Sequence, residues 1–193
     1  MKKYGFIYWC VCIVIAGLLT GCGAAESNEV EPVEDKTTDA DQDSDMGELT
    51  VTYKNNELNE TRESGPIKLS VKGITVGELK VSEENKDIFD NKDIVTLVTI
   101  DIALENNSDE SIWFAPNKAI ITTDNGEEVE ADMLISGLIG DPFIGKGKKE
   151  GDIIFILDTP AEEISQLNMV IEGAEDEESE KVGDLIEMTF DVK

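Results

Sequence analysis

The sequence predicts an all-β fold, an antiparallel β-sandwich of seven to eight strands that follows a disordered acidic tether. Two observations predict it. Apolar and polar residues alternate with a period of two in a series of short runs, which is the pattern of strands with one buried face. Turn-forming residues separate these runs at regular intervals over roughly 130 residues, and that spacing is typical of one immunoglobulin-type sandwich.

A weak strand signal lies in the segment before the predicted domain, and a stronger one begins the domain itself. Residues 49–53 alternate over too short a run to be more than a candidate strand. Residues 67–72 alternate clearly, and Gly73 interrupts the pattern before it continues over residues 74–76. Because a glycine inside a strand commonly marks a bulge, the pattern predicts a kink at this position.

The clearest strand covers residues 94–105. Its even-numbered residues from Val98 to Leu104 are apolar and the intervening ones are largely polar, so one face is predicted to be core and the other solvated. The polar residues 106–110 supply a turn, and residues 111–114 are predicted to return as the paired strand.

A hairpin and three further strands complete the predicted sandwich. Asn125-Gly126 predicts a two-residue type I′ turn between residues 119–123 and 128–132, because that turn needs positive φ at both central positions. The remaining strands are predicted over residues 151–157, 166–172 and 184–192. A single helical turn is indicated over residues 160–167, where a threonine precedes Pro160.

The start of the chain carries an export and lipidation signal. Lys2 and Lys3 precede an apolar run over residues 4–19, and small residues then precede Cys22. This order resembles the lipobox of bacterial lipoproteins, which implies that the Cys22 thiol is acylated by lipids such as palmitate and that the signal peptide is cut before it. The alternative is a retained transmembrane anchor, but the run is shorter than the roughly 20 residues that a bilayer core demands.

These signals divide the chain into three parts. Residues 1–21 are the predicted signal peptide, residues 22–65 a lipidated acidic linker, and residues 66–193 the sandwich domain. The aspartates of residues 39–47 suggest a calcium loop, but neither register supplies the glycine and the bidentate glutamate that such a loop needs, so no metal site is predicted there. The expected location is the extracellular face of the cell membrane.

Composition excludes most catalytic chemistry. The chain contains no histidine, which removes Ser-His and Cys-His nucleophile pairs and the usual zinc and copper sites. Of its three cysteines, Cys10 and Cys12 lie in the predicted signal peptide. We therefore predict no catalytic residue, no cofactor and no metal site. A carboxylate-only site, as in glycosidases, or a Lys-based site remains open on residue types.

The charge is strongly negative. The chain has 43 acidic and 16 basic residues, a net charge of −27, and without residues 1–21 the net charge is −29. Such a field repels nucleic acid and anionic lipid headgroups. No nucleic-acid partner is expected, and contact with the membrane is expected through the lipid on Cys22.

Three segments of the chain carry a family resemblance. They are residues 94–108, residues 124–127, and residues 147–151 leading into 153–157. Together they resemble the telokin-like lipoprotein domains of unknown function found in Gram-positive bacteria. The resemblance covers about residues 66–192 and implies an immunoglobulin-like fold. It implies no catalytic residue, because the family has no defined chemistry.

Residues 135–149 form the candidate contact loop, which combines apolar side chains with the densest basic cluster after Cys22. Its candidate residues are Leu138, Ile139, Phe143, Ile144, Lys146, Lys148 and Lys149. Such a loop either packs down onto the sheets or docks a partner. Trp113 and Phe114 are expected to belong to the core.

The predicted function is that of a non-enzymatic binding or interaction module at the cell surface, with a protein or cell-wall partner. The fold is a common binding scaffold, and function must be judged from sites on it. The alternative is a carboxylate-dependent module, which either binds through calcium or hydrolyses cell-wall glycans with two Asp or Glu residues.

Overall fold

The protein is an all-β sandwich, as shown by a computed structural model that describes residues 42–44, 46–137 and 139–193. Its helical content in these residues is three short 3-10 helices, at Lys86–Phe89, Pro116–Lys118 and Ala161–Glu163. The strands are β1 Gln42–Ser44, β2 Gly47–Asn55, β3 Glu60–Ser64, β4 Ile67–Val81, β5 Ile94–Asn106, β6 Ser111–Ile112, β7 Ile120–Thr123, β8 Glu128–Glu130, β9 Phe143–Ile144, β10 Gly147–Leu157, β11 Gln166–Ile171 and β12 Ile186–Asp191. All strand pairs are antiparallel.

The twelve strands of the described residues exceed the seven to eight that the sequence predicts. Several of the additional strands are only two or three residues long, which is too short to show a period in sequence. Others lie in residues 47–64, which the sequence pattern assigns to the linker apart from the candidate strand over residues 49–53. Here β2 and β3 both pair with β4.

The larger sheet is organised by the 15-residue strand β4. Its first half pairs with β3 and its second half with β2 on one side, while β5 pairs along its other side. The sheet order is β1-β2-β4-β5-β10. The register shifts between Val71 and Gly73, which confirms the predicted kink. At this point the side chains of β4 that enter the main core change from odd-numbered to even-numbered residues. The extra residue of a bulge produces this change of face.

A second sheet has the order β12-β11-β7-β8, and β6 pairs with β9 as a separate two-stranded ribbon. Side chains from both sheets share one core, to which β5 contributes Ile100 and β12 contributes Phe190. This sheet-on-sheet contact is the packing of a sandwich. The predicted inward faces of β5 and β12 are confirmed, since Ile100 is 0% exposed and Phe190 3%.

The outer face of the larger sheet is only partly solvated. Val95 and Leu97 lie on the face of β5 that the sequence predicts to be wet, yet both are buried in a second, smaller core. Phe89 of the 3-10 helix covers them, and Leu79 of β4 lies beside them. The remainder of this face of β5, from Thr99 to Glu105, is half-buried.

Two predicted connections differ from the structure. Ser111 and Ile112 pair with Ile144 and Phe143, not with β5, because β4 and β10 already occupy both sides of β5. The predicted hairpin between β7 and β8 is present, but only Gly126 has positive φ, at 86°. The connection is a three-residue loop in which the Gly126 N–H donates to the Thr123 carbonyl. Gly126 is thus the last residue of the turn and not one of its two central residues.

The predicted signal peptide, Cys22 and the linker up to residue 41 lie outside the described residues, as do Asp45 and Leu138. Within the part of the chain that is described, no helix is long and apolar enough to cross a membrane.

Candidate functional site

The candidate contact loop is divided between the core and the surface. Ile139 and Phe143 are 1% and 3% exposed and pack into the main core, whereas Ile144 is 88% exposed. Leu138 lies outside the described residues. Packing therefore accounts for two of the apolar candidates. That this loop contacts a partner stays a prediction, with Ile144 as its exposed apolar side chain.

The lysines of this loop have partners on the protein itself. Lys149 Nζ lies 4.5 Å from the centre of the Phe143 ring and donates hydrogen bonds to the carbonyl oxygens of Asp141 and Pro142. Burial lowers the pKa of Lys149, and the charge of Asp141 opposes that change. An ammonium over an aromatic face is a stabilising contact, so Lys149 helps to hold the loop down.

Lys146 and Lys148 form ion pairs. Lys146 lies 3.2 Å from Asp109, and Lys148 Nζ lies 3.2 Å from Glu105 Oε2. Exposed pairs of this kind contribute little to stability, roughly 0–1 kcal/mol. They do show that the basic cluster of the loop faces carboxylates of its own domain.

The strand registers explain where these carboxylates come from. On the outer face of the larger sheet Glu63, Lys68, Glu105 and Lys148 stand opposite one another across β3, β4, β5 and β10, so that the sign alternates along the row. Opposite charges on facing cross-strand positions are favourable. Lys148 is the last member of this row, which gives it a structural role on the sheet.

Exposed apolar side chains gather instead in a groove beside the second core. We call it the apolar groove. Its exposed members are Ile88, Met133 and Leu134, which are 41%, 59% and 85% exposed. The cavity has a volume of about 460 Å³ and is also lined by Phe89, Val129 and Ile156. Its charged lining consists of three acidic residues, Asp90, Glu130 and Asp132, and of Lys92, which pairs with Asp158.

One wall of the apolar groove is a turn that hydrogen-bonds to the free edge of β10. Asp132 N–H donates to the Ile154 carbonyl at 2.8 Å, and Gly137 N–H donates to the Asp152 carbonyl at 3.0 Å. The Asp132 carboxylate accepts the Leu134 N–H at 2.8 Å. The turn covers part of an edge strand that would otherwise be open, and it holds Met133 and Leu134 at its tip.

The opposite wall is the 3-10 helix Lys86–Phe89. Asp90 and Asn91 follow it with φ of 53° and 61°, in the left-handed region that Asp and Asn tolerate best among residues with a Cβ. Lys86 lies 2.7 Å from both Glu83 and Asp93, and its hydrogen bonds, first to Asp93 and then to Glu83, raise its pKa. The two ion pairs of Lys86 thus join this wall to the residues before it and after it.

The carboxylate alternative has more than one structural counterpart among the described residues. A cavity of about 440 Å³ is lined by Asp109, Glu110, Asp176, Glu177 and Glu178, and a facing pair of aspartates lies on the larger sheet. Asp101 of β5 stands directly opposite Asp152 of β10 on the outer face of the sheet. Partial burial, and next the charge of Asp101, raise the pKa of Asp152. Among the described residues, no three or more His, Cys, Asp or Glu side chains form a group able to hold a metal ion. The pair lies on a sheet face, where Lys72 and Glu150 form a neighbouring ion pair at 2.6 Å.

Trp113 and Phe114 separate in the structure. Phe114 is 1% exposed and belongs to the core as expected, but Trp113 is 50% exposed, so its assignment to the core is wrong. The two side chains point to opposite sides of an extended segment, and only one of those sides faces the core.

The sequence gives little warning of the apolar groove. The candidate contact loop begins at residue 135, directly after Met133 and Leu134, and Ile135 itself packs on the second core. The one sign of the groove in the sequence is the pair Met133-Leu134, two adjacent apolar residues after Asp132 that do not alternate with polar ones. Ile88 could not be grouped with it, since 45 residues separate Ile88 from Met133.

Comparison with known proteins shows similarity to a family, a lipoprotein and solved structures of unknown function. Residues 24–136 match a family described as a domain of unknown function, DUF5068. The SPbeta prophage-derived uncharacterized lipoprotein YonS of Bacillus subtilis (strain 168) is 25% identical over 136 residues, which are 69% of this chain and 61% of YonS. The chain thus spans less than two thirds of the length of that relative.

One solved structure with a TM-score above 0.5 shares the fold. A functionally unknown protein from Listeria monocytogenes EGD-e superposes with a TM-score of 0.59 at 16% identity, over 76% of this chain and 89% of that one. The yjhA protein from Bacillus subtilis has a TM-score of 0.48 at 15% identity, over 72% of this chain and all of that one. At such identities the first of these shows a common fold and nothing of function.

Proposed function

The chain belongs to the DUF5068 family of unknown function, and we propose that it is a lipid-anchored extracellular lipoprotein that acts as a non-enzymatic binding module. The lipobox ending at Cys22 supports the anchor, as does the similarity to a Bacillus lipoprotein. The absence of histidine from the sequence and the placing of Asp101 and Asp152 on a sheet face support a non-enzymatic role.

We also propose that the sandwich is an immunoglobulin-like domain of the telokin type. Two antiparallel sheets that enclose one core support this assignment, as does the match of the resembling segments to β5, the β7–β8 turn and β10. The assignment concerns the scaffold alone, because folds of this type carry many unrelated functions.

The apolar groove is the surface that we propose for binding. Leu134 is 85% exposed. Hydrogen bonds hold its turn against β10, so the fold itself keeps this side chain exposed. Exposed apolar side chains that gather in a cavity commonly mark an interaction site. This arrangement is the observation that carries the proposal.

The charge around the apolar groove indicates the chemistry of its partner. Asp90, Glu130 and Asp132 line it, Lys92 in the same lining is already paired with Asp158, and the whole chain has a net charge of −27. A second copy of the chain, or its own acidic linker, would bring like charges against these residues, which costs free energy. We therefore propose as occupant a segment of a partner protein that carries apolar side chains flanked by Lys or Arg.

Two synthetic peptides test this assignment. One has leucines on one helical face and lysines on the other, and the second has glutamates in place of the lysines. We expect the lysine peptide to bind the protein saturably in a calorimetric titration, and the glutamate peptide to bind at least about tenfold more weakly, because like charges meet in the complex.

Two variants distinguish the groove from general attraction to an acidic body. Leu134→Asp adds negative charge, so it strengthens any purely electrostatic binding of the lysine peptide, but it removes an apolar contact in the groove. Ile144→Asp makes the same change at a side chain of equal exposure in the candidate contact loop. We expect loss of binding with Leu134→Asp alone. Loss with Ile144→Asp alone transfers the site to the candidate contact loop.

A further inference from the structure

Trp113 lies half-exposed at the end of β6 and is held by its backbone. The backbone N–H of Trp113 donates to the Glu175 carbonyl at 2.8 Å, and the backbone N–H of Glu175 donates to the Trp113 carbonyl at 2.9 Å. The next residue, Phe114, is anchored in the core at 1% exposure. The indole therefore stands on a backbone that is held in place, so a stacking ligand has to order the side chain alone.

A pocket of about 390 Å³ lies beside the indole. Its polar lining comes from Lys118, Glu172, Glu175 and Ser179. Among the described residues that line it, Trp113 is the sole large apolar side chain that is exposed. One aromatic surface surrounded by hydrogen-bonding groups differs from the apolar groove, where several aliphatic side chains meet. The volume suits a small ligand.

The far side of the pocket is a tightly closed turn. The Asp176 carboxylate accepts the N–H groups of Glu178 and Glu180 at 2.9 and 3.0 Å, and the Asp176 carbonyl accepts the Ser179 N–H at 3.1 Å. Ser179 has a φ of 61°, a conformation that is uncommon for serine and persists only where its surroundings impose it. The turn thereby places Ser179 in the lining of the pocket.

The chemistry of this lining fits a saccharide. A pyranose presents apolar C–H groups on its face and hydroxyl groups at its edge, so it can stack on an indole while its hydroxyls bond to polar side chains. Tryptophan combines a large apolar surface with a polar N–H and suits such a ligand. Carboxylate, ammonium and hydroxyl groups together supply both donors and acceptors for sugar hydroxyls.

The charges favour a neutral sugar. The lining carries one lysine, Lys118, and two carboxylates, of which Glu172 pairs with Lys181 at 3.1 Å, so its formal charges sum to zero when Lys181 is included. The strongly acidic body repels polyanions beyond the pocket. We propose that the Trp113 pocket binds a neutral pyranose oligosaccharide. This site is separate from the apolar groove, and its test does not depend on the outcome there.

The single tryptophan after Cys22 provides the measurement. Trp9 and Trp113 are the two tryptophans of the chain, so the lipidated chain of residues 22–193, in detergent micelles, reports on the pocket through intrinsic fluorescence. The probes are three soluble tetramers, of β-1,4-linked N-acetylglucosamine, β-1,4-linked glucose and α-1,4-linked glucose. We expect at least one of them to change the Trp113 emission saturably and to be competed by excess of the same sugar.

Variants separate stacking from general effects. Trp113→Ala should weaken binding at least about tenfold in a calorimetric titration, and Ser179→Ala should weaken it less while leaving the fluorescence readout intact. Leu134→Ala, in the apolar groove, should leave sugar binding unchanged. If none of the three tetramers binds, or if binding survives Trp113→Ala in a folded variant, the proposal is wrong. A fluorescence response to the leucine-lysine peptide and to no sugar would make the pocket a peptide site instead.

Discussion

The hydroxyl of Ser64 donates a 2.7 Å hydrogen bond to the carbonyl oxygen of Asp184, 120 residues further along the chain. The Ser64 hydroxyl oxygen in turn accepts the Ala174 N–H at 2.9 Å. Ser64 ends β3 in the larger sheet, whereas Ala174 and Asp184 lie between β11 and β12 of the second sheet. One fully buried hydroxyl thus connects the two layers of the sandwich.

Ser64→Ala is expected to destabilise the protein by about 1–3 kcal/mol, because it leaves the buried Ala174 N–H without an acceptor and the Asp184 carbonyl without the Ser64 donor. Thr61→Ala in the same strand is the control. The Thr61 hydroxyl is exposed and contacts Ser70 at 3.3 Å, so its removal should cost less than about 0.5 kcal/mol. Urea unfolding compares the two variants, and equal midpoints would show that the Ser64 bonds contribute nothing to stability.

The register of β5 leads to a second prediction. Ile100 is 0% exposed in the main core, so Ile100→Ala should cost roughly 2–5 kcal/mol. Thr99 is its neighbour on the opposite, half-buried face, and Thr99→Ala should cost less than about 0.5 kcal/mol. Denaturant unfolding measures both, and a reversed ranking would mean that the strand is turned over.

A third prediction concerns acid. The Glu127 carboxylate accepts the N–H of Asp158 at 2.8 Å and that of Thr159 at 2.9 Å, which ties the β7–β8 hairpin to the end of β10. Partial burial raises the pKa of Glu127, but the hydrogen bonds from the Asp158 backbone and from the side chain and backbone of Thr159 outweigh it and bring the pKa below its usual 4.5. A lowered folded-state pKa means that this stabilisation is present above pH 4.5 and is lost as the pH falls through the folded value.

Glu127→Gln should therefore lower the melting temperature at neutral pH, and the difference from the unmodified protein should narrow as the pH falls below about 4.5. Glu128→Gln is the matched control, since it removes the same charge from the neighbouring exposed position. Thermal melts between neutral and acidic pH measure the effect. A difference that stays constant with pH would assign the loss to packing and not to ionisation.

A fourth prediction tests the lipid anchor. Cys22→Ala removes the thiol that the lipobox presents for acylation, so the variant should accumulate as an unlabelled precursor in cells fed a fatty-acid analogue. The unmodified chain should incorporate the label, and Cys12→Ala, within the predicted signal peptide, should incorporate it equally. Label retained by Cys22→Ala would contradict the lipoprotein assignment.

The long strands could be predicted because each has a buried face over many residues. β5 and β12 carry unbroken alternation, and Gly73 showed where β4 shifts its register. The pairing of β6 with β9 could not be read in the same way, because two residues carry no period and their partner is more than 30 residues away. The pairing of β6 depends on which strands already pair with the two sides of β5.

The surfaces were harder to predict than the strands. Apolar content alone does not distinguish Phe143, which packs inward, from Leu134, which is exposed, because the difference arises from where hydrogen bonds attach each turn. Lys148 reads as part of a basic cluster in sequence, yet the register of β10 places it opposite Glu105. Trp113 likewise follows an apolar residue and precedes another, but its side chain lies outside the core.

The central claim is that the apolar groove binds a partner protein, and site-specific photo-cross-linking in intact cells tests it most directly. A photoreactive amino acid is placed at position 134, or at position 144 as the control of equal exposure. We predict a discrete protein adduct from position 134 and none from position 144, and the captured segment should carry apolar residues flanked by Lys or Arg. An adduct from position 144 alone, no adduct from either, or capture of an acidic segment would contradict the account.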